Sequence, residues 1–167
     1  MNLLDHYLTE KGEDRSLYIC GCASLNLQGM TDRATQDVDV IAPEIDEILR
    51  EASILTARKI SASEQWLNNG PELLADILPE GWKSRVVQVF RGKSLTVYSL
   101  GRADLLITKL DAMANRDRDL VDIASMNPSK EELEKARDFV STLDANEGYP
   151  AWVSRCVERI LAYMEKE

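Results

Sequence analysis

Histidine is almost absent from this chain: among 167 residues only His6 is one. A Ser-His-Asp relay and a histidine-ligated zinc centre therefore have little to rest on. Cysteine is scarce too. Cys20, Cys22 and Cys156 form an odd set without framework spacing, so a reducing, cytoplasmic compartment is expected. Cys20 and Cys22 lack the two further soft ligands that zinc needs, and read as buried packing residues. No apolar run approaches the length of a membrane span, and the start, Met-Asn-Leu-Leu-Asp-His-Tyr-Leu, has no basic leader region. Neither a membrane partner nor secretion is expected. Positive charge is in the minority, 20 Lys and Arg against 29 Asp and Glu, for a net charge of −9. That balance argues against nonspecific polyanion binding as the main activity, and leaves room for a local basic patch on a nucleotide or RNA.

What is present is an ordinary soluble composition, 44% apolar and 29% charged, in a chain long enough for a substantial core. Residues 2–11 suggest a short helix. Leu17 to Cys20 reads as a strand ending at Gly21, and Cys22 to Leu27 as a short helix and turn. Asp37 to Ala42 reads as a second strand stopped by Pro43. A helix follows, with Ile45, Ile48, Leu49, Ala52 and Leu55 at helical spacing. Asn68-Asn69-Gly70-Pro71 is a breaker. Val86 to Phe90 and Leu95 to Tyr98 form a hairpin turned by Arg91-Gly92-Lys93-Ser94. From Arg102 onward the pattern is helical, with a capping box at Ser129 and Glu132. Trp66, Trp82 and Trp152 read as core or contact anchors. Lys83, Arg85, Arg91 and Lys93 read as solvated charge around the hairpin.

Three constellations could carry chemistry. The first is Gly21-Cys22-Ala23-Ser24-Leu25 directly after a strand, where small residues let backbone approach a phosphate. The second is Arg33-x-Thr35-x-Asp37-x-Asp39. Strand alternation places Asp37 and Asp39 on one face, roughly 7 Å apart at the backbone. Two like charges there call for compensation, and hard oxygen ligands suit Mg²⁺. The third is Lys109-x-x-Ala112-x-x-x-Arg116-x-x-Asp119-x-x-Asp122. On one continuous helix Lys109, Ala112, Arg116 and Asp119 share an arc of roughly 80°, with Asp122 off it. Each has a plainer reading: a tight connection, a solvated strand end, a charged helix face.

In order and spacing these three constellations resemble the minimal nucleotidyltransferase superfamily, in particular the AbiEii-like toxins and related uncharacterised bacterial proteins, over about residues 16–125. The resemblance implies an α+β fold, a small mixed sheet flanked by helices, with residues 1–125 as the nucleotidyltransferase-like domain. Residues 126–167 would be a C-terminal helical extension. It implies Mg²⁺ on Asp37 and Asp39, and a nucleoside triphosphate at Gly21, Cys22, Ser24, Arg33 and Thr35. Lys109 and Arg116 would meet the phosphates, with Asp119 positioning them. Family members transfer a nucleotide to an acceptor, which can be tRNA or protein, and often pair with an antitoxin; an antitoxin or a second copy of the chain is the expected protein partner. Two departures stand out. Cys22 replaces the second glycine of the first motif. The hairpin strands contain no Asp or Glu that could be the third carboxylate of active polymerase-type members. The expected function is therefore NMP transfer from Mg-NTP. The alternatives are a catalytically silent binding or docking module of the same fold, and an acidic helical adaptor with an incidental Asp-x-Asp.

Overall fold

Short apolar runs, most of them rich in β-branched and aromatic residues, pair into one sheet. The computed structural model describes residues 1–71 and 73–166. Its strands are β1 (Arg15–Cys20), β2 (Val38–Ala42), β3 (Leu67–Asn68), β4 (Val87–Arg91) and β5 (Leu95–Ser99), standing in the order β3-β2-β1-β5-β4. β1 runs parallel to β5 and antiparallel to β2, β3 runs parallel to β2, and β4 and β5 form the antiparallel hairpin. The sheet is mixed and the C-terminal part helical, which is the α+β class expected from the sequence. By contacts the chain divides into two compact units, Met1–Asp76 with Gly81–Gly101, and Ile77–Glu80 with Arg102–Glu167. The boundary expected after residue 125 lies within the second unit.

In the first unit the sheet sorts its side chains by strand alternation. Leu17 and Ile19 of β1 and Leu95 and Val97 of β5 join one buried cluster. The same cluster takes Leu4 and Leu8 from helix α1 (Asn2–Lys11) and Leu49, Ala52 and Ala57 from helix α3 (Glu47–Ile60). Each fully buried Leu or Ile contributes about 1.5–3 kcal/mol. The alternate residues Tyr18 and Tyr98 stack with ring centroids 5.4 Å apart. Trp82 meets Tyr18 edge-on, and the Lys83 ammonium lies 5.5–5.6 Å from both ring centres. Lys83 is thus a cation–π partner and not merely a solvated charge. Asp5 ties α1 to the hairpin turn. Its carboxylate accepts backbone N–H groups from Lys93 (3.1 Å), Ser94 (2.8 Å) and Leu95 (2.8 Å). Burial pushes its carboxyl pKa up, but these bonds and the Lys93 charge outweigh it and hold the group below the usual range.

The second unit contains α5 (Arg102–Arg116), α6 (Leu120–Ser125), α7 (Lys130–Val140) and α8 (Tyr149–Met164). The short helix α4 (Leu74–Ile77) has its first three residues in the first unit and Ile77 in the second. α5 packs on α7 and α8, and α7 on α8; of the apolar stripes read from the sequence, Leu133, Ala136, Val140, Val153, Val157 and Ile160 are buried, while Leu143, Leu161 and Met164 are half-buried. The expected capping box is present. Ser129 Oγ accepts from the Glu132 N–H (3.2 Å), and Glu132 accepts from the Ser129 N–H (2.8 Å). Arg102 also bonds Glu132, at 2.7 Å, and that bond, ahead of the cap, pulls the Glu132 carboxyl down to about 2.

One expectation about this unit is corrected. Lys109 to Asp122 do not lie on a single helix: α5 ends at Arg116, and Asp117 (φ 50°) and Asp119 (φ 74°) turn the chain before α6. Asp is one of the few residues that tolerate the left-handed region, because its short polar side chain bonds locally. The break explains why the helical arc misplaced Asp122.

Candidate active site at the end of the first strand

The end of β1 delivers the chain directly into helix α2 (Gly21–Leu27) through Gly21, whose φ of +72° is one that glycine alone adopts without cost. A second reason for glycine lies across the sheet. Cys20 is registered with Asp39 on β2, and a Cβ on Gly21 would collide with Asp39 Oδ2. The glycine turn and the carboxylate are therefore in direct contact. α2 starts without a side-chain cap, and the first backbone N–H groups of any helix lack intrahelical acceptors.

The remaining motif residues are held in pairs. The Arg33 Nε–H donates to Cys22 Sγ (3.4 Å), and the Cys22 thiol donates to the Arg33 carbonyl (3.7 Å). The bulk that Cys22 adds in place of glycine is thus buried against the Arg33 segment. Thr35 Oγ1 lies 3.3 Å from both the carbonyl and Oδ1 of Asp37, and accepts the Asp37 N–H at 3.5 Å. Asp37 itself is exposed, after a bend at Gln36 and one residue ahead of β2. Strand alternation therefore governs Asp39 alone, because regular pairing begins only at Val38, whose N–H bonds the Trp66 carbonyl. Ser24 is fully buried beside Leu25, and its hydroxyl has no hydrogen-bond partner. Its surroundings are those of a packing residue.

Asn68 was hidden in the sequence. It belongs to a two-residue strand inside a stretch that reads as a breaker, yet β3 is the strand beside β2, and Asn68 is registered with Asp39. Its amide donates to Asp39 Oδ1 at 3.3 Å. Asn69 next to it pins the chain after β2, bonding the carbonyls of Val40 (3.0 Å) and Pro43 (3.2 Å) and the Ile45 N–H (2.7 Å). The hairpin strands β4 and β5 do not adjoin β2, whose neighbours in the sheet are β1 and β3. The residues registered with Asp39 are Cys20 on β1 and Asn68 on β3, a thiol and an amide. The only sequence signal for β3 is the apolar pair Trp66-Leu67 ahead of the asparagines.

Lys109, Asp119 and Arg116 stand in the helical unit. The Lys109 ammonium is 2.6 Å from Asp119 Oδ1 and 2.6 Å from Asp122 Oδ2. Lys109 is only 7% exposed and Asp122 only 1%. Burial alone would push the lysine's pKa down, but the hydrogen bonds and charges of the two carboxylates prevail and raise it. Arg116 is exposed at the end of α5. Asp119 and Asp122 thus share the Lys109 ammonium.

Whether Mg²⁺ suits the residues at the first site can be judged from their chemistry. Asp37 and Asp39 offer hard carboxylate oxygens, and Gly21 keeps the space beside Asp39 clear of a side chain. Among the described residues no group of three or more His, Cys, Asp or Glu is arranged to hold a metal ion. A pair of carboxylates still fits Mg²⁺, which is commonly bound through one or two carboxylates together with substrate phosphates. Among the described residues no helix is long and apolar enough to cross a membrane. Comparison with curated proteins and with solved structures returned no match. A family model does match, across residues 2–138, spanning the glycine turn, both carboxylates, Asn68 and all of α5 and α6. The chain belongs to that family, described as "Nucleotidyltransferase of unknown function (DUF6036)".

Proposed function

We propose that this protein binds a Mg-nucleoside triphosphate at the β1–α2 turn and transfers the NMP moiety to an acceptor hydroxyl. The observation that carries the reading is the contact between Gly21 and Asp39, which sets a side-chain-free backbone turn at the start of a helix beside a carboxylate. Asp37 and Asp39 would hold Mg²⁺, which when bound would neutralise phosphate charge and polarise the reacting phosphorus centre. Backbone N–H groups from Gly21 to Ala23 would receive phosphate oxygens. Arg33, held through Cys22, would add positive charge at the same turn. Within the helical unit Lys109, Asp119 and Asp122 hold the turn that follows α5. In the transfer the acceptor oxygen bonds to the α-phosphorus, the bond to the bridging oxygen breaks, and pyrophosphate leaves. The acceptor proton passes to solvent, since the amide of Asn68 cannot take it.

Asn68 also favours a second reading, in which the site binds a nucleotide without turning it over. One experiment separates the two. The protein and its Asp37→Ala/Asp39→Ala variant are incubated with Mg²⁺, each α-labelled nucleoside triphosphate, and total cellular RNA or total protein. Label on RNA or on protein that disappears in the variant supports transfer and identifies the acceptor class. Nucleotide binding lost in the variant without any transfer supports the silent module. Transfer that survives the double substitution would refute the site. Growth arrest on expression, relieved by co-expressing a neighbouring reading frame, would support the toxin branch with an antitoxin partner; expression without arrest would count against it.

A further inference from the structure

We propose that Asn68 is a positioning residue of this site: its amide holds the Asp39 carboxylate and fills the place opposite it, so that Asp37 and Asp39 bind one cation and not two. The proposal rests on the reading of Asp37 and Asp39 as the divalent-cation ligands.

Three observations support it. The first is register. β3 is two residues long, and it pairs Val38 with Leu67 and Asp39 with Asn68. Of the two β3 residues, Leu67 is buried in the core and Asn68 is half-buried beside Asp39. The second is the direction of the amide. Asn68 Oδ1 accepts the Gly70 N–H at 2.8 Å, which fixes the oxygen away from the site and turns Nδ2 toward Asp39 Oδ1. Asn68 is therefore a donor to the carboxylate, and its oxygen is engaged elsewhere. The third is anchorage. Asn69 makes three hydrogen bonds to the segment after β2, and the Trp66 carbonyl accepts the Val38 N–H at 2.6 Å. The backbone on both sides of Asn68 is thus tied to the strand that carries Asp39.

The choice of amide over carboxylate has a physical consequence. A carboxylate at 68 would face Asp39 as a like charge and would require a further cation to be tolerated. An amide N–H instead compensates part of the Asp39 charge and orients it, as outer partners of metal ligands do. Removing such a partner typically weakens metal affinity by roughly 10- to 100-fold.

The test is a Mn²⁺ titration of the full chain, with free Mn²⁺ followed by electron paramagnetic resonance and folding followed by circular dichroism. The wild-type chain is expected to bind one Mn²⁺, and Asp39→Ala to bind none at the same concentrations. Asn68→Ala is expected to keep the stoichiometry and bind about tenfold more weakly. If that variant does not fold, Asn68→Ser, which is as short and cannot reach as an amide does, is held to the same criterion. Asn68→Asp is expected to bind a second Mn²⁺. Wild-type behaviour in Asn68→Asp, or in the folded Ala or Ser variant, would overturn the role given to Asn68 while leaving the site intact. Equal binding by wild type and Asp39→Ala, or binding by neither, would overturn the cation site itself and the proposal with it.

Discussion

Asp39 and Asp122 are both carboxylates drawn in from the surface, and the protein treats them in opposite ways. Asp122 is sealed. It is 1% exposed, and it meets the buried Lys109 ammonium, which Asp119 also holds. Asp39 stays half-exposed next to exposed Asp37, with a glycine turn on one side and an asparagine amide on the other. A sealed charge cluster carries its own counter-ion and stabilises only if all its members remain, whereas an open one can accept a counter-ion from solution. The helical unit thus spends its charges on holding a turn, and the sheet unit keeps its charges accessible at a strand end.

The largest effect should come from breaking the sealed cluster. Lys109→Met leaves two carboxylates facing one another in a buried site, and is expected to cost about 3–5 kcal/mol in urea unfolding. Adding Asp122→Leu should recover much of that loss. The matching change at the open site is Gly21→Ala. It forces a side chain into a left-handed position, at about 1–3 kcal/mol, and pushes on Asp39. Its distinguishing outcome is loss of Mn²⁺ binding in a chain that still folds, which Lys109→Met does not produce on its own. If Gly21→Ala binds Mn²⁺ normally, the contact between turn and carboxylate is not functional.

Smaller effects sharpen the contrast within the helical unit. Ser129→Ala removes one half of the capping box and should cost about 1 kcal/mol. Glu132 gives this region its pH dependence. Its folded pKa, about 2, lies below its ordinary 4.5. Its stabilisation is therefore complete above the ordinary value and is lost as pH falls from there toward the folded one. Because Glu132 is more than a third exposed, solvent screening keeps that contribution small. Melting temperatures of wild type and Glu132→Gln should accordingly converge in acid. The smallest change is expected from Asp5→Asn at the sheet's far turn, about 1 kcal/mol or less, since the released N–H groups can turn to water.

The architecture was legible where local signals were strong. The apolar runs of β1, β4 and β5, the Pro43 stop and the Ser129–Glu132 box all appear as their residues suggest. What was not legible depended on tertiary pairing. β3 is too short for a period to be read, and its second residue belongs to an Asn-Asn-Gly-Pro run that by composition alone is a turn. The break after Arg116 was masked because Asp117 to Asp119 continue a charged helical pattern. Only the left-handed φ values of Asp117 and Asp119, and the clasp on Lys109, mark the end of α5. At the site, Gly21 and Asp39 could be named from motif spacing. The place of Asn68 beside Asp39 could not, because it comes from the register of a parallel pair.

The most direct test of the site is paramagnetic mapping. Mn²⁺ and a nucleoside triphosphate analogue blocked at the α–β bridge are added to the ¹⁵N-labelled chain, and backbone amide broadening is recorded for each of the four bases. The expected result, for at least one base, is selective loss of signals from Gly21 to Ala23, Asp37 to Asp39 and Asn68, absent in Asp37→Ala/Asp39→Ala. Broadening that centres on Lys109 to Asp122, or that is unchanged by the double substitution, would contradict a nucleotide site at the end of β1.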